Sequence, residues 1–545
     1  MAEPVVAGKS SRRRPTALSP FRFGMYRAVW LGTLSANFGQ WVQSVGAAWL
    51  MTLIAPSPDM VALVQAASSL PTLAFALVGG VLADLLDRRK VFIAGQSVML
   101  LAAAVLAVCG QLGLLTPWLL LILTFVLGSG AALRLAAYQA LVGDLVPREE
   151  IPGAVALNSA GFNIARSTGP ALGGSIVAAA GAQAAFLFNA LSNVAIIAIL
   201  VFWRGRRSAR QLPREEVFGA MIAGIRYAAQ ERTTQIVLLR ALVFGALGIA
   251  SWALLPLIAK NDLHGGPVTY GILLGCLGAG AIVGATVMGR LRRAVGTERM
   301  VSAAVLAYGL LTLAMSFVHV LPLLMPVLVI GGVAWMLVMS SFNITMQMSA
   351  PGWVKGRAIA IYFTALFGGM AFGSWLWGHV ATQSSVYAAL VAAGLALVLT
   401  ASLGRWFPLP ESGGLDLRPS RSWTKPAVAF EFDPTTGPVL ITVEYLVPRA
   451  EAAAFVAAME ALRRIRRRDG ALHWGLYEDV ARPERWLETF TIASWLDHLR
   501  QQERLTMTDA AVEARARSFH TGDAAPLIST LIVHRPEKTD DAAVG

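Results

Sequence analysis

Apolar stretches of about twenty residues or more, separated by short polar connections, fill the first three quarters of the chain. They run over approximately residues 28–54, 60–83, 91–112, 117–141, 153–179, 183–203, 235–259, 268–289, 300–319, 321–346, 357–381 and 385–406. A helix rises about 1.5 Å per residue, so each run is long enough to cross a hydrocarbon core of roughly 30 Å. After about residue 438 the pattern changes. Val439, Ile441, Val443 and Tyr445 alternate with Leu440, Thr442 and Glu444 as in a strand, and Phe455, Met459 and Leu462 mark one face of a helix. Strands over about 471–479 and 485–493, helices over 494–517 and a strand over 527–534 complete the order βαββαβ, a ferredoxin-like pattern. The expected fold is an all-α membrane protein with twelve transmembrane helices, followed by a C-terminal α+β ferredoxin-like domain.

Composition agrees: 56% of the 545 residues are hydrophobic and 14% charged, and the mean hydropathy is +0.60, well above that of a soluble globular chain. The formal net charge of +13 has to be read by position. Alternate connections are basic, with Arg88, Arg89 and Lys90, then Arg148, the segment 204–232, then Arg290, Arg292 and Arg293, and Lys355 with Arg357; the others hold essentially Lys260 alone. Such asymmetry places both termini in the cytoplasm of a cell whose inner membrane holds the protein, and it accounts for the cations without nucleic acid. The opening segment, with Arg12, Arg13 and Arg14, has no short apolar core and cleavage site, so it is not expected to be a secretory signal. Cys109 and Cys276 lie inside apolar runs, which excludes a disulfide framework. His264, His319 and His379 lack metal-ligand spacing, and no phosphate-binding loop is present, so neither a metal, a cofactor nor ATP-driven transport is expected.

The chain also repeats itself. Gly80 to Lys90 is echoed 204 positions later by Gly284 to Arg293, and the same offset relates Pro147 to Pro351, Ala165 to Gly369, Gly169 to Gly373 and Gly174 to Gly378. Small and basic residues recurring at one offset argue for a duplicated six-helix unit. The expected organisation is a basic tail over 1–22, a first half over 23–203, a linker over 204–234, a second half over 235–407, a second linker over 408–438 and the ferredoxin-like domain over 439–536.

Gly80, Asp84, Arg88 and Arg89 resemble the major facilitator motif between the second and third spans, although Leu85 and Asp87 stand where that family has a basic residue and a glycine. The resemblance implies an ion-pair latch, with Asp144 at the end of the fourth span as a further member. Gly169, Pro170, Gly173 and Gly174 resemble the fifth-span motif of facilitator-type exporters, with Ala165 in place of its first glycine; small residues there permit tight helix packing. Asn37, Trp41, Gln43, Trp49, Asp144, Pro147, Arg148, Glu149, Ala156 and Asn158 are together similar to the enterobactin-exporter, or transmembrane secretion effector, branch. That branch is associated with export of siderophores and other secondary metabolites. The arginine expected in the fourth span is replaced by Thr124, so its role does not pass to Arg134.

Buried polar residues add to this. Arg166 falls near the middle of the fifth span and Arg134 in the fourth, and each costs about 2.5–3.5 kcal/mol if left in lipid. Both should face an interior path, with Asn37, Gln40 and Asn158; Ser44 shares the face of Asn37 and Gln40, and Gln65, Ser69 and Thr72 form a similar stripe. Interhelical hydrogen bonding is the alternative use of such stripes. Cations without an acid at the centre of the first span favour an anionic or catechol-type small molecule.

In the C-terminal portion, Trp486, Glu488 and Phe490, followed by Trp495 and His498, resemble the antibiotic-biosynthesis monooxygenase type of domain. His498 has no cluster of catalytic companions, so a structural or self-associating role is expected rather than catalysis, with Trp474 or Trp486 on the uncovered sheet face. The chain is thus expected to be a proton-coupled exporter of a siderophore, secondary metabolite or drug-like molecule and not an enzyme; a membrane-anchored enzyme or regulator, and an importer, are the alternatives.

Overall fold

The computed structural model describes residues 18–85, 87–203, 217–410, 416–420, 428 and 430–533. The helices are α1 (Gly24–Ile54), α2 (Pro58–Leu85), α3 (Arg88–Gln111), α4 (Pro117–Leu145), α5 (Ile151–Phe202), α6 (Val217–Gln230), α7 (Arg232–Leu257), α8 (Pro267–Val295), α9 (Thr297–Phe317), α10 (Leu321–Ser349), α11 (Lys355–Gln383) and α12 (Val386–Thr400). Nine helices among the described residues are long and apolar enough to cross a membrane. Their starts are written in short polar caps. Asp87 accepts from the Arg89 amide at the head of α3, Thr116 from Leu119 before α4, and Ser385 from Ala388 before α12.

By contacts the chain divides into two compact units. One comprises Met1–Pro213, Arg240–Ser341 and Phe363–Pro408, and the other Arg214–Leu239, Phe342–Tyr362 and Leu409–Gly545.

In the first unit, α5 is 52 residues long but leaves helical geometry at Gly181, whose φ is +79°. This left-handed backbone suits a residue without Cβ, and it divides α5 into two limbs of opposite direction. Along α1, Trp30 meets Gly161, Trp41 meets Gly169 and Val42 meets Gly173, so the first limb runs parallel to α1. Gly32 meets Ile196, Gly39 meets Ser192 and Gly46 meets Ala185, so the second limb runs back.

The same packing recurs at the 204-residue offset. Gly169 lies against α1, and its counterpart Gly373 lies against Ala246 of α7; Gly174 lies against Pro267 of α8, and its counterpart Gly378 lies against Ala62 and Asp59 of α2. The duplicated sequence thus builds a duplicated arrangement, in which α5 of one repeat clasps α8 of the other and α11 clasps α2.

The second unit contains a four-stranded sheet in the order β2-β3-β1-β4, formed by β1 (Val439–Leu446), β2 (His473–Glu478), β3 (Arg485–Ile492) and β4 (Leu527–Ile532). All pairs are antiparallel, with Val443 opposite both Glu488 and Ile528. Helices α13 (Ala452–Asp469), α14 (Trp495–Arg504) and α15 (Met507–Arg517) complete it. The stretch expected over 494–517 is two helices because Leu505 is extended and Thr506 with Asp509 forms a new capping box. Val439, Ile441, Val443 and Tyr445 of β1 are buried against Phe455, Met459 and Leu462 of α13. One expectation is corrected here: Trp486 is a core residue packed 5.7 Å from Phe455, and Trp474 points to the same covered side, donating its indole N–H to Glu488 at 3.0 Å. Part of the preceding linker folds with this sheet. Met507 N donates to Arg418 O, Leu496 N donates to Pro434 O, and Phe432 sits edge-on to Trp495 at 5.3 Å.

The same unit holds α6 and the ends of α7, α10 and α11. Tyr227 of α6 donates to Ser349 O at 3.1 Å, and the Arg504 guanidinium lies 4.6 Å from the centre of the Trp353 ring in the α10–α11 turn.

Candidate functional site

Two arginines are sunk in the helices of the first unit. Arg134 of α4 is buried, and it donates Nη1 to Asn37 Oδ1 at 3.1 Å and Nη2 to Gln40 Oε1 at 2.9 Å, both on α1. Asn37 and Gln40 share a helical face, so a single guanidinium fork spans them. Asn158 belongs to another cluster, where its Oδ1 accepts from Tyr26 at 3.0 Å and from Tyr138 at 2.7 Å. Arg166, on the first limb of α5, stands with its guanidinium carbon 5.9 Å from the centre of the Trp252 ring of α7. No ion pair to Arg134 or Arg166 is found among the described residues. The five residues singled out from sequence are therefore brought into three places: one amide-held cation, one tyrosine-ringed amide and one cation facing an indole. Ser44 and Ser69, from the two predicted polar stripes, bond back to Trp41 O and Gln65 O of their own helices.

Sequence reading missed the rings. Trp252 leads into an aromatic group in which Trp335 of α10 lies 5.8 Å from Trp252, 5.4 Å from Tyr308 of α9 and 5.3 Å from Phe244 of α7. A ring inside an apolar run reads as core, and only the polar Ser251, whose hydroxyl lies 2.5 Å from that of Tyr308, hinted at more.

At the end of the helices carrying the basic connections, Arg88 pairs with Asp144 at 3.1 Å, joining the start of α3 to the end of α4. Arg89 donates to Leu200 O at 2.6 Å and Val201 O at 2.7 Å, satisfying carbonyls at the end of α5. Asp87, a departure from the family pattern, has work of its own as the α3 cap. The side chains of Gly80 and Asp84 lie outside the described residues.

Toward the opposite end, the two repeats meet. Gly174 approaches Gly271 and Pro267, Gly278 approaches Ser167, and Ser167 Oγ donates to Gly278 O at 3.0 Å. The Pro170 carbonyl needs the bare Gly271 opposite it, since a Cβ there would come within 2.7 Å. Lys260 donates to Thr52 O, and the Asp59 amide to Thr382 Oγ1 at 3.0 Å.

The sheet domain is filled by ion pairs. Arg466 bonds Glu488 at 3.2 Å and Glu513 at 3.1 Å with its guanidinium 4.9 Å from the centre of the Phe490 ring, and Tyr445 donates to Glu488 at 3.3 Å. His498 is fully buried beside Trp495 and within hydrogen-bond reach of Gln502. Burial, then the nearby Arg466 charge, lowers its pKa to about 4, so the ring is neutral at ordinary pH. No group of three potential metal ligands is found among the described residues.

Comparison with known proteins agrees with this architecture. The chain matches the family described as transmembrane secretion effectors over residues 15–537, a span that includes the sheet. It is similar to the multidrug efflux pump Tap of Mycobacterium tuberculosis, 25% identical over an alignment of 410 residues that covers 73% of this chain and 96% of that protein. It is also similar to the staphyloferrin A transporter of Staphylococcus aureus, 23% identical over 54% of this chain and 74% of that one. Among solved structures, a bacterial homolog of the human lysosomal transporter Spinster, inward-facing and unoccupied, superposes with a TM-score of 0.57 at 13% identity, covering 71% of this chain and 98% of that one. The nucleoside transporter NupG gives 0.58 at 11% identity, covering 70% and 100%. With helices, repeat and family match in agreement, the chain belongs to the transmembrane secretion effectors and is a multi-pass membrane transporter of the major facilitator type.

Proposed function

We propose that this transporter is a secondary exporter, driven by proton antiport, that carries a small organic anion of the siderophore, secondary-metabolite or drug-like kind out of a bacterial cell. The observation that carries the substrate charge is the pair of mid-helix arginines, Arg134 and Arg166, held by amides and a ring where no carboxylate answers them among the described residues. Names borne by its relatives, an efflux pump and a siderophore transporter, support the substrate class. Its span count is twelve: α5 supplies two at Gly181 and α1 and α2 complete the set. The basic connections put both termini and the sheet domain inside. In that orientation the glycine contacts between repeats lie toward the outer side, as in an inward-open state. Arg88, Arg89 and Asp144, with Gly80 and Asp84, would serve the inner latch, and Asn37, Gln40, Arg134, Asn158 and Arg166 the path. We assign the sheet domain a self-associating, non-catalytic role; its uncovered face presents Leu527 and Leu531, both exposed.

Metabolite profiling inside and outside cells with and without the protein tests the reading. An anionic compound should accumulate inside when the protein is missing, and Arg166→Ala should reproduce that loss while remaining in the membrane. Accumulation outside instead would make the protein an importer. For orientation, with Cys109 and Cys276 replaced, cysteines at Ser57 and Ser384 should react with an impermeant thiol reagent from outside and one at Gly352 should not; the reverse pattern inverts the topology.

A further inference from the structure

Arg134 and Arg166 are held differently. Arg134 has amide oxygens on both Nη atoms. Arg166 meets the face of Trp252, and neither of its Nη atoms donates to an oxygen among the described residues; the Nε of each arginine is buried without an acceptor. A guanidinium in a low-dielectric site gains more from an oxyanion than from a ring, so Arg166 is the one poised to accept a further partner.

Trp252 is also set apart from its neighbours. It is partly exposed, as is Arg166, whereas Trp335, Tyr308 and Phe244 behind it are buried. Contact with Trp335 at 5.8 Å, and the Ser251–Tyr308 hydroxyl pair beyond, back this indole. The result is one open aromatic face on a fixed support, opposite a cation. The cation comes from the first repeat and the ring from the second.

We propose that Arg166 and Trp252 are the two jaws of a substrate site for an organic anion carrying a flat ring. The oxyanion pairs with Arg166, the ring lies on Trp252, and the bound molecule replaces the Arg166–Trp252 contact. Because the jaws belong to different repeats, a molecule that holds both favours the conformation in which they remain opposed. The inference rests on the exporter reading and adds to it the ring, which makes Trp252 a specificity-determining residue.

The test uses the full-length protein reconstituted in liposomes and titrated with 2-naphthoate, cyclohexanecarboxylate and 2-naphthylmethylammonium. The naphthoate should bind at least about tenfold more tightly than either of the others, the difference expected when one strong contact is lost. Trp252→Leu should remove its advantage over the aliphatic acid and Arg166→Gln its advantage over the cation, while Trp252→Phe and Arg166→Lys should keep most of each. Equal affinities in the wild type, preference for the cation, no binding of any probe, or a Trp252→Leu variant that weakens both carboxylates alike would overturn the proposal. Efflux from the same liposomes, driven by a proton gradient and loaded with a host metabolite extract, separates this from the broader reading. Export of anions with and without a ring alike sinks the two-jaw site alone; liposomes that move no anion sink both.

Discussion

Gly174 of α5 and Gly271 of α8 meet backbone to backbone: a Cβ on either would stand 3.1 Å from the other's Cα, and it would come within 2.6 Å of the Pro267 carbonyl or 2.7 Å of the Pro170 carbonyl. Neither obstacle is a flexible side-chain tip, so a larger residue must push the helices apart. Gly174→Val and Gly271→Val should each insert in the membrane normally yet lower transport by about tenfold or more, since small misplacements of packed elements carry such penalties. Cross-linking between cysteines at Asp59 and Thr382, whose amide and hydroxyl meet at 3.0 Å, should fall in parallel. Wild-type transport by Gly174→Val would show that this joint does not need to close.

The Arg88–Asp144 pair makes a different kind of prediction. Both side chains are 28% exposed, and exposed pairs contribute only about 0–1 kcal/mol, so the pair is a poor structural support and a suitable switch. Arg88→Ala and Asp144→Ala should leave thermal stability nearly unchanged while slowing turnover. The reciprocal exchange Arg88→Asp with Asp144→Arg should recover part of the rate. A swap no better than either single variant would mean the pair acts only through its position in the motif.

How far the sequence carried the structure can be argued from particular residues. Run length marks the nine helices that are long and apolar enough to span, and the 204-residue repeat marks the paired glycines, because a slab of roughly 30 Å and a duplicated packing surface leave periodic marks. The Asn37–Gln40 face is legible in the helical spacing, and its partner Arg134 stands out as a charge inside an apolar run. Trp252 is not legible, since convergence of α7, α9 and α10 is a tertiary fact that spacing along one helix does not contain. In β3 the error was one of face. Trp486, Glu488 and Phe490 share a side, and a charged residue in their midst reads as facing outward; the side is buried with Arg466 of α13 neutralising Glu488.

That neutralisation is open to test. Arg466→Met leaves Glu488 buried without its cation and Glu513 with Arg517 alone, and breaking such a network typically costs about 3–5 kcal/mol. Limited proteolysis of the full-length protein should release the sheet domain far more readily in Arg466→Met. Adding Glu488→Leu and Glu513→Leu should restore part of the resistance, because the buried acids go with their cation while the Trp474 indole and the Tyr445 hydroxyl lose their acceptor. Equal sensitivity of the single and triple variants would indicate that shape, not charge, is what Arg466 supplies.

His498 links the sheet domain's stability to acidity. Its folded pKa of about 4 lies below the ordinary value of 6.5, burial being the main cause and the Arg466 charge the second. Between those values the unfolded chain binds a proton that the folded domain refuses, so stability is complete above about pH 6.5 and is lost as pH falls toward 4. At about 1.4 kcal/mol per unit, the loss attributable to this one ring reaches about 3 kcal/mol. His498→Leu keeps an apolar side chain in a buried place and has no proton to refuse. Resistance to proteolysis should therefore decline from pH 7.5 to pH 5 in the wild type and decline less in the variant, whatever the variant's resistance at pH 7.5. Parallel declines in the two proteins would assign the acid sensitivity to other groups of the domain and leave His498 as packing alone.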